Sequence, residues 1–257
     1  MSLEFSVAQQ VFSAWGASAQ EIPTSSVEES DWFAELNGFK LLVEEKAKFE
    51  NPESMQKRED ALRSGRVHGQ STPLVHSNRL SGIVTKARKQ LSSTAAKVAP
   101  DARIIWFTGM GFDAEAKHYQ FMATLYGSTK LFELDRRTLR ECYYFRNSDF
   151  FRYREDLDGA VAAFCVGESV TMKLCLNTYS PRYSTLKASP FAANFPNGLM
   201  DPLAEEASGD AYIADTDVDR RDGAAVIQYL EKKYGLNRAM NMDMNLATAT
   251  IAVPRGR

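Results

Sequence analysis

The chain has 257 residues, 44% of them apolar and 25% charged, which suits a sizeable core and argues against general disorder. Its net charge of −2 means that any surface gripping nucleic acid has to be a local one. No stretch reaches the roughly 18 apolar residues of a membrane span, and the first dozen residues lack the basic start and apolar run of a secretory leader, so a cytoplasmic protein is expected.

Phe5, Ala8, Phe12 and Trp15 recur at helical spacing, so the chain opens on an amphipathic helix that Gly16 weakens, followed by a loop at Pro23, Thr24, Ser25 and Ser26. Two strand-like runs follow, Asp31 to Leu36 and Phe39 to Phe49, joined by Asn37-Gly38, a strong hairpin signal because both turn positions need positive φ. Residues 50–73 read as a polar excursion with a short helix around Ser54 to Arg63. Leu80, Ile83, Val84, Ala87 and Leu91 share one face of a helix beginning near Ser77. Arg103 to Thr108 is a short buried strand, and Asp113 is an N-cap for a helix that Gly127 stops after Tyr126. The later half predicts strands over Glu141 to Phe151, Gly159 to Val166 and Val170 to Leu176. A helix over Gly223 to Tyr234 and a weakly alternating tail from Ala247 to Val253 close the chain.

Chemistry concentrates on the second hairpin strand, Phe39-Lys40-Leu41-Leu42-Val43-Glu44-Glu45-Lys46-Ala47-Lys48. Alternation puts Glu44 and Lys46 on one face and Glu45 on the other. Folding at Asn37-Gly38 brings Asp31 beside Glu44, provided a bend or bulge adjusts the register. Two carboxylates can hold a hard divalent cation with open positions for water and a phosphate oxygen, and a lysine can orient the water and offset transition-state charge.

Asp31 followed by Glu44-Glu45-Lys46 resembles the Asp…Glu-x-Lys signature of the PD-(D/E)XK, or restriction-endonuclease-like, nuclease superfamily. The order of opening helix, hairpin, crossover helix and apolar strand over roughly residues 1–127 matches it as well. The residue before Asp31 is Ser30 rather than proline, and Glu21, the first acid after Glu4, lies past the opening helix. The resemblance implies Mg²⁺, or Mn²⁺ in its place, held by Asp31 and Glu44 with the Glu45 backbone, Lys46 serving the water, and DNA as the substrate. If the register slips by one residue, Glu45 and Lys48 take these places. Lys86, Arg88 and Lys89 on the crossover helix are the expected nucleic-acid contacts.

Other patterns carry less. Arg136, Arg137, Arg140, Arg146, Arg152 and Arg154 interleave with Tyr143, Tyr144, Phe145, Phe150, Phe151 and Tyr153. Arginine beside aromatics can grip phosphates and stack bases, but the plainer expectation is an amphipathic strand with a salt-bridged outer face. Asp215, Asp217, Asp219 and Asp222 imitate a calcium loop, yet Arg220 and Val226 stand where glycine and glutamate are required. His118 is expected to be structural. Cys142, Cys165 and Cys175 form no CxxC pair, and with three histidines in the chain they are expected as small buried residues rather than zinc ligands.

The expected architecture is an α/β protein with a mixed central sheet flanked by helices. A single domain over 1–257 comprises a nuclease-like core over 1–140 and a β-rich C-terminal elaboration over 141–257 packed on it. Against the nuclease stand two other readings of the same residues. One is an inactive nuclease-fold subunit of a defence or repair assembly. The other is an unrelated α/β protein in which Glu44 and Lys46 form a structural pair. A homodimer or larger assembly is open in each.

Overall fold

The computed structural model describes residues 6–23 and 29–252, so the expectations placed on Phe5, on 24–26 and on Val253 lie outside the described residues. Helix α1 (Val7–Ala14) is N-capped by Ser6, whose hydroxyl accepts from the Gln9 amide at 3.0 Å, and it buries Ala8 and Phe12. Strand β1 (Ser18–Glu21), which the polar sequence hides, pairs antiparallel with β2 (Trp32–Leu36). Asn37 at φ 49° and Gly38 at φ 80° then reverse the chain into β3 (Phe39–Lys48), which pairs antiparallel with β2.

The excursion after β3 is more ordered than its composition predicts. It contains α2 (Pro52–Arg63) and then β4 (His68–Pro73). Helix α3 (Asn78–Val98), N-capped by Ser77, crosses over to β5 (Ala102–Gly109), which is buried throughout and parallel to β3. Helix α4 (Ala114–Tyr126) ends at Gly127 in the left-handed conformation. Asp113 precedes it but makes no side-chain cap, because its carboxylate pairs instead with Lys117.

The strand expected over Glu141 to Phe151 is corrected in two ways. A hairpin of β6 (Thr129–Glu133) and β7 (Thr138–Tyr143) ends at Tyr143, and Tyr144 takes a left-handed φ of 59° that turns the backbone out of the sheet. Phe150 and Phe151 then belong to a short helix, α5 (Asp149–Arg152). Strands β8 (Gly159–Val166) and β9 (Ser169–Leu176) follow, the first parallel to β5 and the second antiparallel to β8. The remaining elements are α6 (Tyr183–Lys187), β10 (Leu199–Met200), α7 (Pro202–Ser208), β11 (Ala211–Ile213), α8 (Gly223–Tyr234), β12 (Ala239–Met242) and β13 (Asn245–Thr250).

Among the described residues the molecule is an α/β protein with a mixed central sheet of seven strands, ordered β1-β2-β3-β5-β8-β9-β10, packed by helices. A four-stranded sheet ordered β11-β7-β6-β12 and the pair β13-β4 complete it. Alternation splits β3 between two cores. Leu42 faces Leu80, Val84, Ala87 and Leu91 of α3, while Leu41 and Val43 face Ala8 and Phe12 of α1. Cys142 and Cys175 are buried as expected, whereas Cys165, near the end of β8, is half exposed. No helix among the described residues is long and apolar enough to cross a membrane.

Candidate functional site: a carboxylate pair and a lysine on β3

Trp32 pairs with Val43 at the end of the ladder, and Asp31, in a bend just before β2, comes next outward beside Glu44, close enough for its charge to act on the Glu44 carboxyl. The Asp31 carboxylate turns inward, and its Oδ2 accepts the Glu45 amide at 2.7 Å. Glu44 has no exposed surface. Its Oε1 takes the Lys46 ammonium, and its Oε2 is buried with no partner. Burial first, and the charge of Asp31 second, push the Glu44 carboxyl up to about 7. Burial also raises Asp31, while the Glu45 amide and Lys46 oppose it.

These groups share the α3 face of the sheet, as alternation predicts. Glu45 does not. Its carboxylate lies on the α1 face, where it accepts the Ala8 amide and the Trp32 indole N–H, both at 3.1 Å, and the Ser6 hydroxyl. An acid at the start of α1 is favourable to that helix, so the Glu45 side chain is a structural cap and only its backbone faces Asp31.

Around these groups the structure places Glu21 and Lys48, already singled out in the sequence, and adds Arg79 and Lys117, which were not. Glu21, at the end of β1, stands near enough to Asp31 for its charge to raise the Asp31 carboxyl. Lys48 continues the face of Glu44 and Lys46, and burial together with the charges of Arg79 and Lys117 lowers its ammonium. Arg79 and Lys117 come from α3 and α4, separate from β3, so no sequence run joins them to Lys48. Of the crossover-helix cluster, Lys86 and Lys89 are exposed, whereas Arg88 is held by Asp156 at 3.3 Å and lies over the Tyr153 ring.

Whether the site suits a divalent cation turns on its donors. Among the described residues no three His, Cys, Asp or Glu side chains gather as a metal cluster. A cation that keeps several waters needs only one or two carboxylates, and the orphaned Glu44 Oε2 beside Asp31 meets that lesser requirement. Neither of the other polar candidates is such a site. Asp222 caps α8 through the Ala225 amide, and His118 is buried, with its imidazole pushed down to about 4 by that burial.

A larger cavity of about 540 Å³ lies elsewhere, between α4 and the four-stranded sheet, and none of Asp31, Glu44 or Lys46 lines it. Compared with known proteins, the chain matches no protein family, no curated protein and no solved structure.

Proposed function

We propose that the chain is a metal-dependent nuclease of the restriction-endonuclease-like kind that hydrolyses DNA phosphodiester bonds. The observation that carries this reading is the placement of Asp31 beside Glu44, with Lys46 on the same face and one Glu44 oxygen left without a partner. The order α1, a meander through β3, crossover α3 and parallel β5 supports it as well. Asp31 and Glu44 would hold Mg²⁺, which when bound would supply a Lewis acid and a more acidic water. Lys46 would donate to a phosphate oxygen or to the attacking water, offsetting charge that builds in the transition state. Lys48 and Arg79 extend the positive face towards the backbone of the bound strand.

One observation favours the inactive, interaction-subunit reading. The Lys46 ammonium already neutralises Glu44, so the pair can persist as a structural element of β3. Plasmid cleavage with Mg²⁺ or Mn²⁺ separates the two readings. The nuclease reading expects nicking or linearisation, assayed well below the melting temperature of each variant, that falls at least about a hundredfold in Asp31→Asn and Lys46→Ala. Melting should fall in Lys46→Ala, which leaves the buried Glu44 without its ammonium. Cleavage that survives Lys46→Ala, or none in the parent with either metal, rejects it.

A further inference from the structure

A second cavity, of about 390 Å³, opens where the turn after β7 meets α5 and the loop before α8. Its walls divide into two kinds of chemistry. Tyr144, Tyr179 and Phe151 form an aromatic side. Tyr179 meets Tyr144 edge-on at 4.7 Å and Phe151 edge-on at 5.0 Å, and Phe151 is 51% exposed despite its size. The Tyr144 ring is fixed from both ends, by its left-handed backbone and by a hydroxyl bond to Thr178 at 2.8 Å.

The other side carries Arg146, Arg152 and Arg220, against the single carboxylate of Asp217. Arg220 Nη2 donates to the Ala214 and Thr216 carbonyls at 2.6 and 2.8 Å, but its Nη1 is buried with no acceptor. Arg146 repeats the pattern: Nη2 donates to Asp243 at 2.8 Å, and Nη1 is buried with no acceptor. Arg152 makes no close ion pair among the described residues, its charge reaching only as far as the Asp149 carboxyl, where it opposes the rise that burial causes. A buried guanidinium nitrogen without an acceptor is costly, and arginines with spare donors suit a multidentate anion. Beyond the wall, the His76 imidazole is pushed down by burial and then by Arg152 and Arg146, which marks the same region as positive.

We propose that this cavity binds a nucleoside 5′-monophosphate, with the phosphate between Arg146, Arg152 and Arg220 and the base against Tyr144, Tyr179 and Phe151. Its volume falls in the range of small-ligand sites, roughly 300–1,000 Å³. The pairing of arginine donors with aromatic faces suits phosphate and base together better than either alone. The proposal is independent of the nuclease reading, because no residue of the Asp31 site lines this cavity.

Calorimetric titration of the full chain with AMP, CMP, adenosine and inorganic phosphate tests it. Saturable one-to-one binding of a monophosphate is expected, with adenosine and phosphate each at least about tenfold weaker. Arg152→Ala should weaken the monophosphate about tenfold or more. Phe151→Ala should weaken the monophosphate and adenosine but leave phosphate unchanged. Both side chains are exposed, so neither change should disturb the fold. No saturable binding, phosphate or adenosine binding as tightly as the monophosphate, or indifference to both substitutions overturns the proposal.

Discussion

A carboxyl group with no exposed surface stays charged only as far as its neighbours allow. Burial and the Asp31 carboxylate outweigh the Lys46 ammonium on Oε1 and the pull of the Asp31 backbone, which is why the Glu44 carboxyl titrates near 7 instead of its ordinary 4.5. The sign for stability follows from linkage. From about pH 4.5 to 7 the folded chain keeps a proton that the unfolded chain has lost, so this group's contribution is full at acid pH and declines as pH rises through 7. Glu44→Gln should therefore melt a few degrees above the parent at pH 8 and show a flatter melting profile between pH 5 and 8. A variant that melts lower at pH 8 would mean that the pairing of Glu44 with Lys46 outweighs burial. Metal binding runs the other way, since a ligand carboxylate must shed its proton. Mn²⁺ affinity should fall about tenfold per pH unit below roughly 7 and level off above it. Affinity that does not change between pH 6 and 8 would remove Glu44 from the ligand set.

At the scale of elements, the legible parts were those whose signal is local. Asn37-Gly38 fixed the hairpin and hence the placement of Asp31 beside Glu44, and β8 and α8 fall where their apolar patterns place them. The short strands of the four-stranded sheet were not legible, because β11 and β12 are three and four residues long and pair with β7 and β6 far earlier in the chain. Strand β4 was hidden likewise, since its partner β13 lies near the other end of the chain. Tyr144 shows a different failure: an apolar run reads as strand until one residue adopts positive φ, a choice made by tertiary contacts and not by composition. That turn leans on the end of α4. Gly127, at φ 60°, receives the Arg146 amide at 2.8 Å, and a Cβ there would run into the carbonyls of Arg146 and Asn147. Gly127→Ala should cost about 2–3 kcal/mol and lower Tm by roughly 5–10 °C. A loss below about 2 °C would show that the turn can move aside, and with it the wall of the arginine cavity.

For the whole molecule, the decisive feature is where β8 lies. It is the third of three parallel strands, after β3 and β5, so the apolar edge of the strand pair that carries Glu44 and Lys46 is covered by residues encoded after 158. The core on the α3 face joins Leu42, Leu91 and Ile105 to Tyr143, Ala160, Cys175 and Ile213 without a break. Arg103 strengthens the same seam: its amide and guanidinium both donate to the buried Asp158, which also accepts the Ser180 hydroxyl at 2.6 Å. A fragment of residues 1–140 would therefore expose the whole apolar edge of β5 and take away every carboxylate that holds Arg103, which is unfavourable for a strand edge. It should aggregate or melt without cooperativity, and it should bind no Mn²⁺, because the position of Glu44 depends on β3 being held in the sheet. A soluble fragment with a sharp melting transition would show that β1, β2, β3 and β5 suffice for a core. The carboxylate–lysine site would then be a property of the first half of the chain alone.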